Sequence, residues 1–164
     1  MAMLLRCVCL AALLALPLSA PPLLADVVVD YAGLSSSRDA GLRHDRDRRQ
    51  VAAELDRDLQ KLGRRYLRPG QTLELQIAQI DLAGDYEPWR SGFQDVRILR
   101  DITPPRIVLR YQLVEDGRLI AQGQAKLGDM NYLSDPRARG DGTPLIHEKL
   151  LLRDWFRKTF AAAG

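Results

Sequence analysis

The sequence predicts an α+β domain of two layers, in which an antiparallel-rich sheet of about four strands carries two helices on one face. Two observations support this prediction. Apolar residues recur at helical spacing in two long stretches, near 45–66 and 144–160. Four other stretches alternate apolar with polar residues or are β-branched. The resulting order, β-α-β-β-β-α, is typical of helices packed on one side of such a sheet.

The first half of the domain contains a strand, a helix and a second strand. The β-branched run 26–31 predicts the first strand, and the glycine- and serine-rich residues 32–43 predict a loop. The helix predicted from about Asp45 ends before Pro69-Gly70. Alternation then resumes over 73–82 with a shift of one residue near Ala78, which indicates a β-bulge. The helix has an apolar face of Val51, Leu55, Leu59, Leu62 and Tyr66.

The second half contains a hairpin and a final helix. Alternating residues over 107–113 and 119–127 flank Asp116-Gly117, which predicts two antiparallel strands with a tight turn. Thr143 is placed to cap a helix whose first residue is Pro144 and which runs to about Phe160. Residues 84–105 contain no clear element.

The N-terminal residues 1–25 resemble a cleaved signal peptide, which leaves 26–164 as a single domain. Arg6 precedes a short apolar run that ends at Pro17 and small residues. This run is too short to span a bilayer, which needs about 20 apolar residues. A buried N-terminal helix is the alternative, and the three prolines at 17, 21 and 22 argue against it. Cleavage after Ala25 would export the chain to the periplasm or beyond, with no transmembrane segment in the mature protein.

Cysteine and charge exclude several classes of function. Cys7 and Cys9 both lie within the predicted signal, so the mature chain would have no disulfide, thiolate nucleophile or cysteine metal site. Without Arg6, 23 basic and 21 acidic residues give a net charge of +2. Because these charges alternate in sign along the chain, nucleic-acid binding is not predicted.

Motifs for catalysis and cofactor binding fail on inspection. His147-Glu148 begins like a zinc-protease helix, but Leu151 occupies the position of the second histidine. Asp129-Met-Asn131 begins like a calcium loop and then lacks its next ligand and its glycine. The sequence also lacks a nucleophile elbow, a phosphate loop and a dinucleotide glycine cluster. We therefore predict no catalytic residue, metal or cofactor.

Polar and aromatic residues are concentrated on either side of the hairpin. Since the strands pair, the residues before Ile107 and after Leu127 should meet at one end of the sheet and bring Arg106 and Asp101 near Asp129 and Asn131. One interpretation is a binding pocket with a tryptophan wall. The other, which the sequence favours, is that arginine and aspartate hold a long loop while Trp89 fills the core edge. The candidate binding residues are Trp89, Arg90, Asp101, Arg106, Asp129, Asn131 and Tyr132.

Four spaced motifs resemble a known family. They are Glu87-Pro-Trp-Arg90, the run 95–102, Asp129-Met-Asn-Tyr-Leu133 and Asp154-Trp-Phe156. In this order they resemble the bacterial envelope proteins grouped as domain of unknown function 3016, over about 27–160. The resemblance implies an exported protein of a Gram-negative bacterium and implies no activity or catalytic residue.

Three functions are compatible with these observations. The leading hypothesis is a non-catalytic periplasmic module that binds another envelope protein or a small polar ligand. A hydrolase or transferase that uses a carboxylate pair such as Asp101 and Asp129 is the alternative, because acid–base work needs two carboxyls in one cleft. A small structural subunit with an apolar surface patch is the third. The sequence does not specify the oligomeric state.

Overall fold

A computed structural model describes residues 25–87, 89, 96–140 and 142–161. The predicted signal peptide, apart from Ala25, and the candidate residue Arg90 lie outside the described residues. The helices are α1 (Asp45–Tyr66) and α2 (Ile146–Phe160). The strands are β1 (Asp26–Asp30), β2 (Gln71–Asp81), β3 (Asp85–Tyr86), β4 (Arg97–Ile98), β5 (Arg106–Glu115) and β6 (Arg118–Gly128).

The main sheet has four strands in the order β1-β2-β5-β6. The strand β1 is parallel to β2, because α1 carries the chain back to the starting end of the sheet. The pairs β2–β5 and β5–β6 are antiparallel. A separate two-stranded sheet, β3–β4, forms within residues 84–105, where the sequence predicted no element. The predicted α+β class and the order of the main elements are confirmed.

Two local predictions of strand geometry are also confirmed. The register between β2 and β5 shifts between Ile77 and Gln79, so Ala78 is the bulge. The β5–β6 turn has positive φ at both Asp116 (49°) and Gly117 (76°). Positive φ at both central residues matches the twist of the flanking strands, which explains why Asp-Gly is effective in this turn.

The hydrophobic core lies between one face of the sheet and both helices. The apolar residues of α1, the inward residues of β2 and β5, and the Trp155–Phe156–Phe160 end of α2 form one buried cluster. The rings of Trp155 and Phe160 pack edge-on against Tyr111 of β5 at centroid distances of 5.5 and 6.0 Å. The opposite face of the sheet is exposed, with Glu74, Gln76, Arg110, Gln112, Gln122 and Gln124 on its surface. The structure is therefore two-layered, as predicted.

The predicted start of α2 is wrong by two residues. The helix begins at Ile146, and its N-cap is Leu145 with φ 58°, while Thr143 and Pro144 precede the helix. Leu145 packs against the core, and this left-handed residue interrupts the helical run expected from Pro144. The buried Glu148 then accepts the Ala83 N–H at 2.7 Å, which attaches the first turn of α2 to the segment after β2. Tertiary packing thus overrides the capping signal.

Among the described residues, no helix is both long and apolar enough to cross a membrane.

Candidate functional site

A groove of about 880 Å³ lies beside the N-terminus of α1, where β2 ends and β5 begins. We call it the Trp89 groove. Its charged lining is balanced, with four arginines and four aspartates. The residues that line it are Arg38, Asp39, Ala40, Gly41, Arg43, His44, Asp47, Asp81, Leu82, Gly84, Asp85, Tyr86, Trp89, Arg97, Ile102, Thr103, Pro104 and Arg106.

An ion pair between Arg97 and Asp39 holds the floor of the Trp89 groove. The two guanidinium ends of Arg97 contact the two carboxylate oxygens of Asp39 at 2.9 and 2.5 Å, and the side chains are only 19% and 5% exposed. Arg97 also donates to the carbonyls of Leu82, Ala83 and Gly84. One arginine therefore satisfies the backbone of the segment after β2 and joins it to the loop before α1.

Asp39 accepts further hydrogen bonds from the backbone N–H groups of Gly41 and Leu82, at 2.8 and 2.9 Å. Although burial lowers the pKa of Arg97, the hydrogen bonds and charge of Asp39 outweigh it and raise that pKa above its usual value. A Cβ on Gly41 would lie 2.7 Å from the Arg97 guanidinium, so this close approach requires glycine. Four hydrogen bonds therefore hold the Asp39 carboxylate in the floor of the groove.

The turn over 100–103 forms one wall of the groove. Its backbone closes through the Thr103 N–H to the Arg100 carbonyl at 3.0 Å, and Gly84 donates to the Thr103 carbonyl. Tyr132 is 2% exposed and donates its hydroxyl to the Arg100 carbonyl at 2.7 Å. Its ring meets the imidazole of His147 edge-on at 4.7 Å. The turn is therefore anchored to α2 through Tyr132.

Two large apolar side chains line the groove and are exposed. Trp89 and Ile102 are each 76% exposed, and both line the groove. The sequence analysis favoured an interpretation in which Trp89 fills the edge of the core. The exposure of Trp89 contradicts that interpretation. Exposed aromatic and aliphatic residues beside a fixed charged floor resemble the anchors and rim of a protein interface.

The candidate residues from the sequence are divided between two places. Trp89 and Arg106 line the Trp89 groove, whereas Asp129 and Tyr132 line a second cavity of about 540 Å³ between the end of β6 and α2. Asp101 and Asn131 are exposed on turns. Among the described residues, no ion pair joins Asp101 or Arg106 to another group.

The strand ends meet as expected, since Arg106 pairs with Gly128 in the β5–β6 register. The chain then turns away, because the Asp129 carboxylate accepts the Asn131 N–H at 2.8 Å and Tyr132 is drawn into contact with α2. Arg106 and Asp129 therefore line different cavities. This division also gives no support to a carboxylate pair of Asp101 and Asp129.

A network around Arg137 closes the second cavity. Arg137 donates to both carboxylate oxygens of Asp154 at 2.9 Å and also contacts Asp135. Hydrogen bonds from Arg137 lower the pKa of Asp135 and of Asp154. Both carboxylates thereby satisfy one guanidinium, so the network stabilises the segment before α2 and leaves little free charge for a ligand.

Sequence reasoning missed Asp39 as a residue of the site. It lies in the loop before α1, 58 residues from Arg97, and no local spacing relates the two. Within the described residues, no group of three or more histidine, cysteine, aspartate or glutamate side chains is placed to hold a metal ion.

Comparison with known proteins identifies the family. The model of the family described as protein of unknown function (DUF3016) matches residues 25–158. The chain belongs to this family, as the four motifs indicated. No curated protein and no solved structure matches it.

Proposed function

We propose that this chain is an exported, non-catalytic binding module of the cell envelope, and that it binds a segment of another envelope protein in the Trp89 groove. The observation that carries the proposal is the pair Trp89 and Ile102, each 76% exposed on a groove whose floor is held by the Arg97–Asp39 ion pair. Exposed tryptophan is costly to leave in water, and tryptophan is enriched among the residues that dominate binding energy.

Export is supported by two features of the chain. Residues 1–24 have a basic start, an apolar run and closing prolines, the order found in secretory signals. The family match begins at residue 25, so the family model covers the chain only from the end of this leader.

The charges of the groove favour a protein segment over a polyanion. Arg97 is already paired with Asp39, and the remaining lining of Arg38, Arg43 and Arg106 is matched by Asp47, Asp81 and Asp85. A nucleic acid or a phosphate-rich ligand requires an excess of positive charge, which this lining lacks. A protein segment with an apolar side chain between charges of both signs would pair with the charged lining and cover Trp89 and Ile102. A small polar ligand would use the same charges but would leave Trp89 and Ile102 uncovered.

The experiment compares two double variants of a chromosomally tagged protein after crosslinking in living cells. Trp89→Ala with Ile102→Ala should lose the captured envelope partner while keeping the cooperative thermal unfolding of the wild type. The matched control is Met130→Ala with Leu133→Ala, which removes side chains that are 63% and 45% exposed outside the groove lining. The control should capture as much partner as the wild type. Equal capture by both double variants would show that the groove is not the binding site.

A further inference from the structure

The edge strand β6 has features that the Trp89 groove does not explain. It lies at the end of the sheet and is 11 residues long, and within the described residues no strand pairs with its outer side. A long free edge presents unpaired N–H and C=O groups to any extended chain. The opposite edge, β1, has only five residues and begins and ends with exposed aspartates, Asp26 and Asp30. Short length and terminal charge protect β1 but not β6.

The sequence of this edge is nearly the same in both directions. Residues 119–127 read Leu-Ile-Ala-Gln-Gly-Gln-Ala-Lys-Leu, which is a palindrome about Gly123 except for Ile120 and Lys126. The β5–β6 register shifts near the start of β6, where Leu113 pairs with Ala121 and Val114 pairs with Leu119, so Ile120 is a bulge and the regular part of the palindrome is 121–125. Two copies of β6 that pair antiparallel about Gly123 would place Ala121 opposite Ala125 and Gln122 opposite Gln124. A two-fold axis through Gly123 makes this interface self-complementary, which is what a closed homodimer requires.

We propose that β6 pairs with β6 of a second copy of this chain, which joins the two four-stranded sheets into one sheet of eight strands. Antiparallel pairing over residues 121–125 supplies about four to six backbone hydrogen bonds, depending on which residues face outward. Within 121–125 the alternation of faces is kept, because opposite residues in this register have the same parity and no bulge lies between them.

The charges and the apolar surface of β6 agree with this register. Lys126 is the only charged side chain within 119–127, and it lies outside the paired residues 121–125, so no like charges oppose one another across the two-fold axis. Leu119 and Ile120 are 51% and 46% exposed next to the paired residues, so association at this edge would remove part of an apolar surface from water. Gly123 itself packs under the Tyr111 ring, where a Cβ would lie 2.9 Å from a ring carbon, so it cannot serve as the test position.

Charge substitutions at Gln122 and Gln124 test both the partner and the register. Both side chains are exposed on the open face of the sheet, so the fold should tolerate their replacement. In the proposed dimer, Gln122→Glu with Gln124→Glu opposes carboxylates at two cross-strand positions and should weaken association about tenfold. Gln122→Lys with Gln124→Lys should weaken it similarly. A mixture of the two variants should restore a heterodimer.

The measurement is sedimentation equilibrium of the purified protein over a wide concentration range. The matched control is Arg110→Gln with Gln112→Glu, which changes the net charge by the same two units on β5 rather than on the edge, and it should dimerise like the wild type. The proposal predicts a wild-type dimer, weakened acidic and basic variants, and a restored mixture. If the wild-type protein stays monomeric over the whole concentration range, the proposed dimer is wrong and no variant is needed to show it. The edge of β6 would then be available to a strand of another protein. A wild-type dimer that the edge charges do not affect, or that the mixture does not restore, overturns it as well.

Discussion

Arg97 and Asp39 show how one pair of residues can define a site. Each of the two side chains is largely removed from water, and together they satisfy three backbone carbonyls and two backbone N–H groups around the groove. A buried ion pair of this kind adds little net stability compared with apolar residues, but breaking it leaves an uncompensated charge. The pair therefore fixes geometry more than it raises stability.

Removal of either partner should be strongly destabilising. Arg97→Ala leaves Asp39 buried without its cation, and we expect the free energy of unfolding in urea to fall by about 3 kcal/mol. Arg97→Lys keeps the charge but loses the planar fork, and should recover only part of the loss. The double variant Asp39→Ala with Arg97→Ala should be less destabilised than the sum of the two single variants. Additive losses would mean that the pair does not act as a unit.

At the scale of elements, the contact between α1 and β1 depends on Gly63. A Cβ at this position would lie 2.4 Å from Cγ2 of Val27, although glycine within a helix normally costs about 1 kcal/mol relative to alanine. Close packing of the helix on the sheet therefore outweighs helix propensity at this position.

The steric cost should reverse the usual effect of replacing glycine by alanine. Gly63→Ala should lower the free energy of unfolding by about 1–3 kcal/mol, because the helix must shift away from β1. In a Val27→Ala background the same substitution should become neutral or stabilising, because the clashing methyl group is gone. Thermal and urea unfolding of the four proteins measure this. Stabilisation by Gly63→Ala in both backgrounds would contradict the packing that the structure shows.

The Arg137 network predicts a pH dependence of stability. An unfolded aspartate has a pKa of about 3.9, and Arg137 lowers the pKa of Asp135 and Asp154 in the fold. Groups with a lowered folded pKa stabilise the fold above the unfolded value, and that contribution is lost as the pH falls through the folded value. Wild type should therefore exceed Arg137→Gln in stability at pH 7, by about 1 kcal/mol or less because the network is partly exposed.

This difference should shrink as the pH falls from about 5 to 2 in urea unfolding series. Arg139→Gln, two residues along the chain, removes the same charge from an exposed arginine that has no ion pair among the described residues. It should follow the wild-type curve. A constant difference between wild type and Arg137→Gln at all pH values would show that the carboxylates are not involved.

Elements with strong local signals were predictable from the sequence, and those fixed by tertiary contacts were not. The α1 helix has the predicted bounds, and the Asp116-Gly117 turn and the bulge at Ala78 follow from local chemistry. The β3–β4 sheet has only two residues in each strand, too few for a periodic pattern. The start of α2 was missed because packing of Leu145 against the core decides it.

At the scale of the whole molecule, the candidate site was only partly predictable. Sequence reasoning found Trp89 and Arg106, which line the groove, because tryptophan and arginine in a polar loop are conspicuous. It grouped them with Asp129 and Tyr132, which line a different cavity, since strand pairing fixes which ends meet but not where the following turn leads. Asp39 required the three-dimensional fold.

Export predicts the N-terminus of the mature protein. If residues 1–25 are removed after Ala25, protein recovered from the periplasm should begin at Asp26, which mass spectrometry of the intact chain measures. Replacing Arg6 and interrupting the apolar run, by Arg6→Glu with Leu13→Asp, should leave the unprocessed chain in the cytoplasm. An unprocessed chain in the periplasm, or a cytoplasmic wild type, would contradict the proposed leader.

The most direct test of the binding proposal is site-specific photo-crosslinking in living cells. A photoreactive amino acid at position 102, on the exposed wall of the Trp89 groove, is compared with one at position 112 on the open face of the sheet. We predict a discrete adduct with one envelope protein from position 102, none from position 112, and loss of the adduct when Trp89→Ala is added. No adduct from position 102, or the same adducts from both positions, would contradict a binding site in the groove.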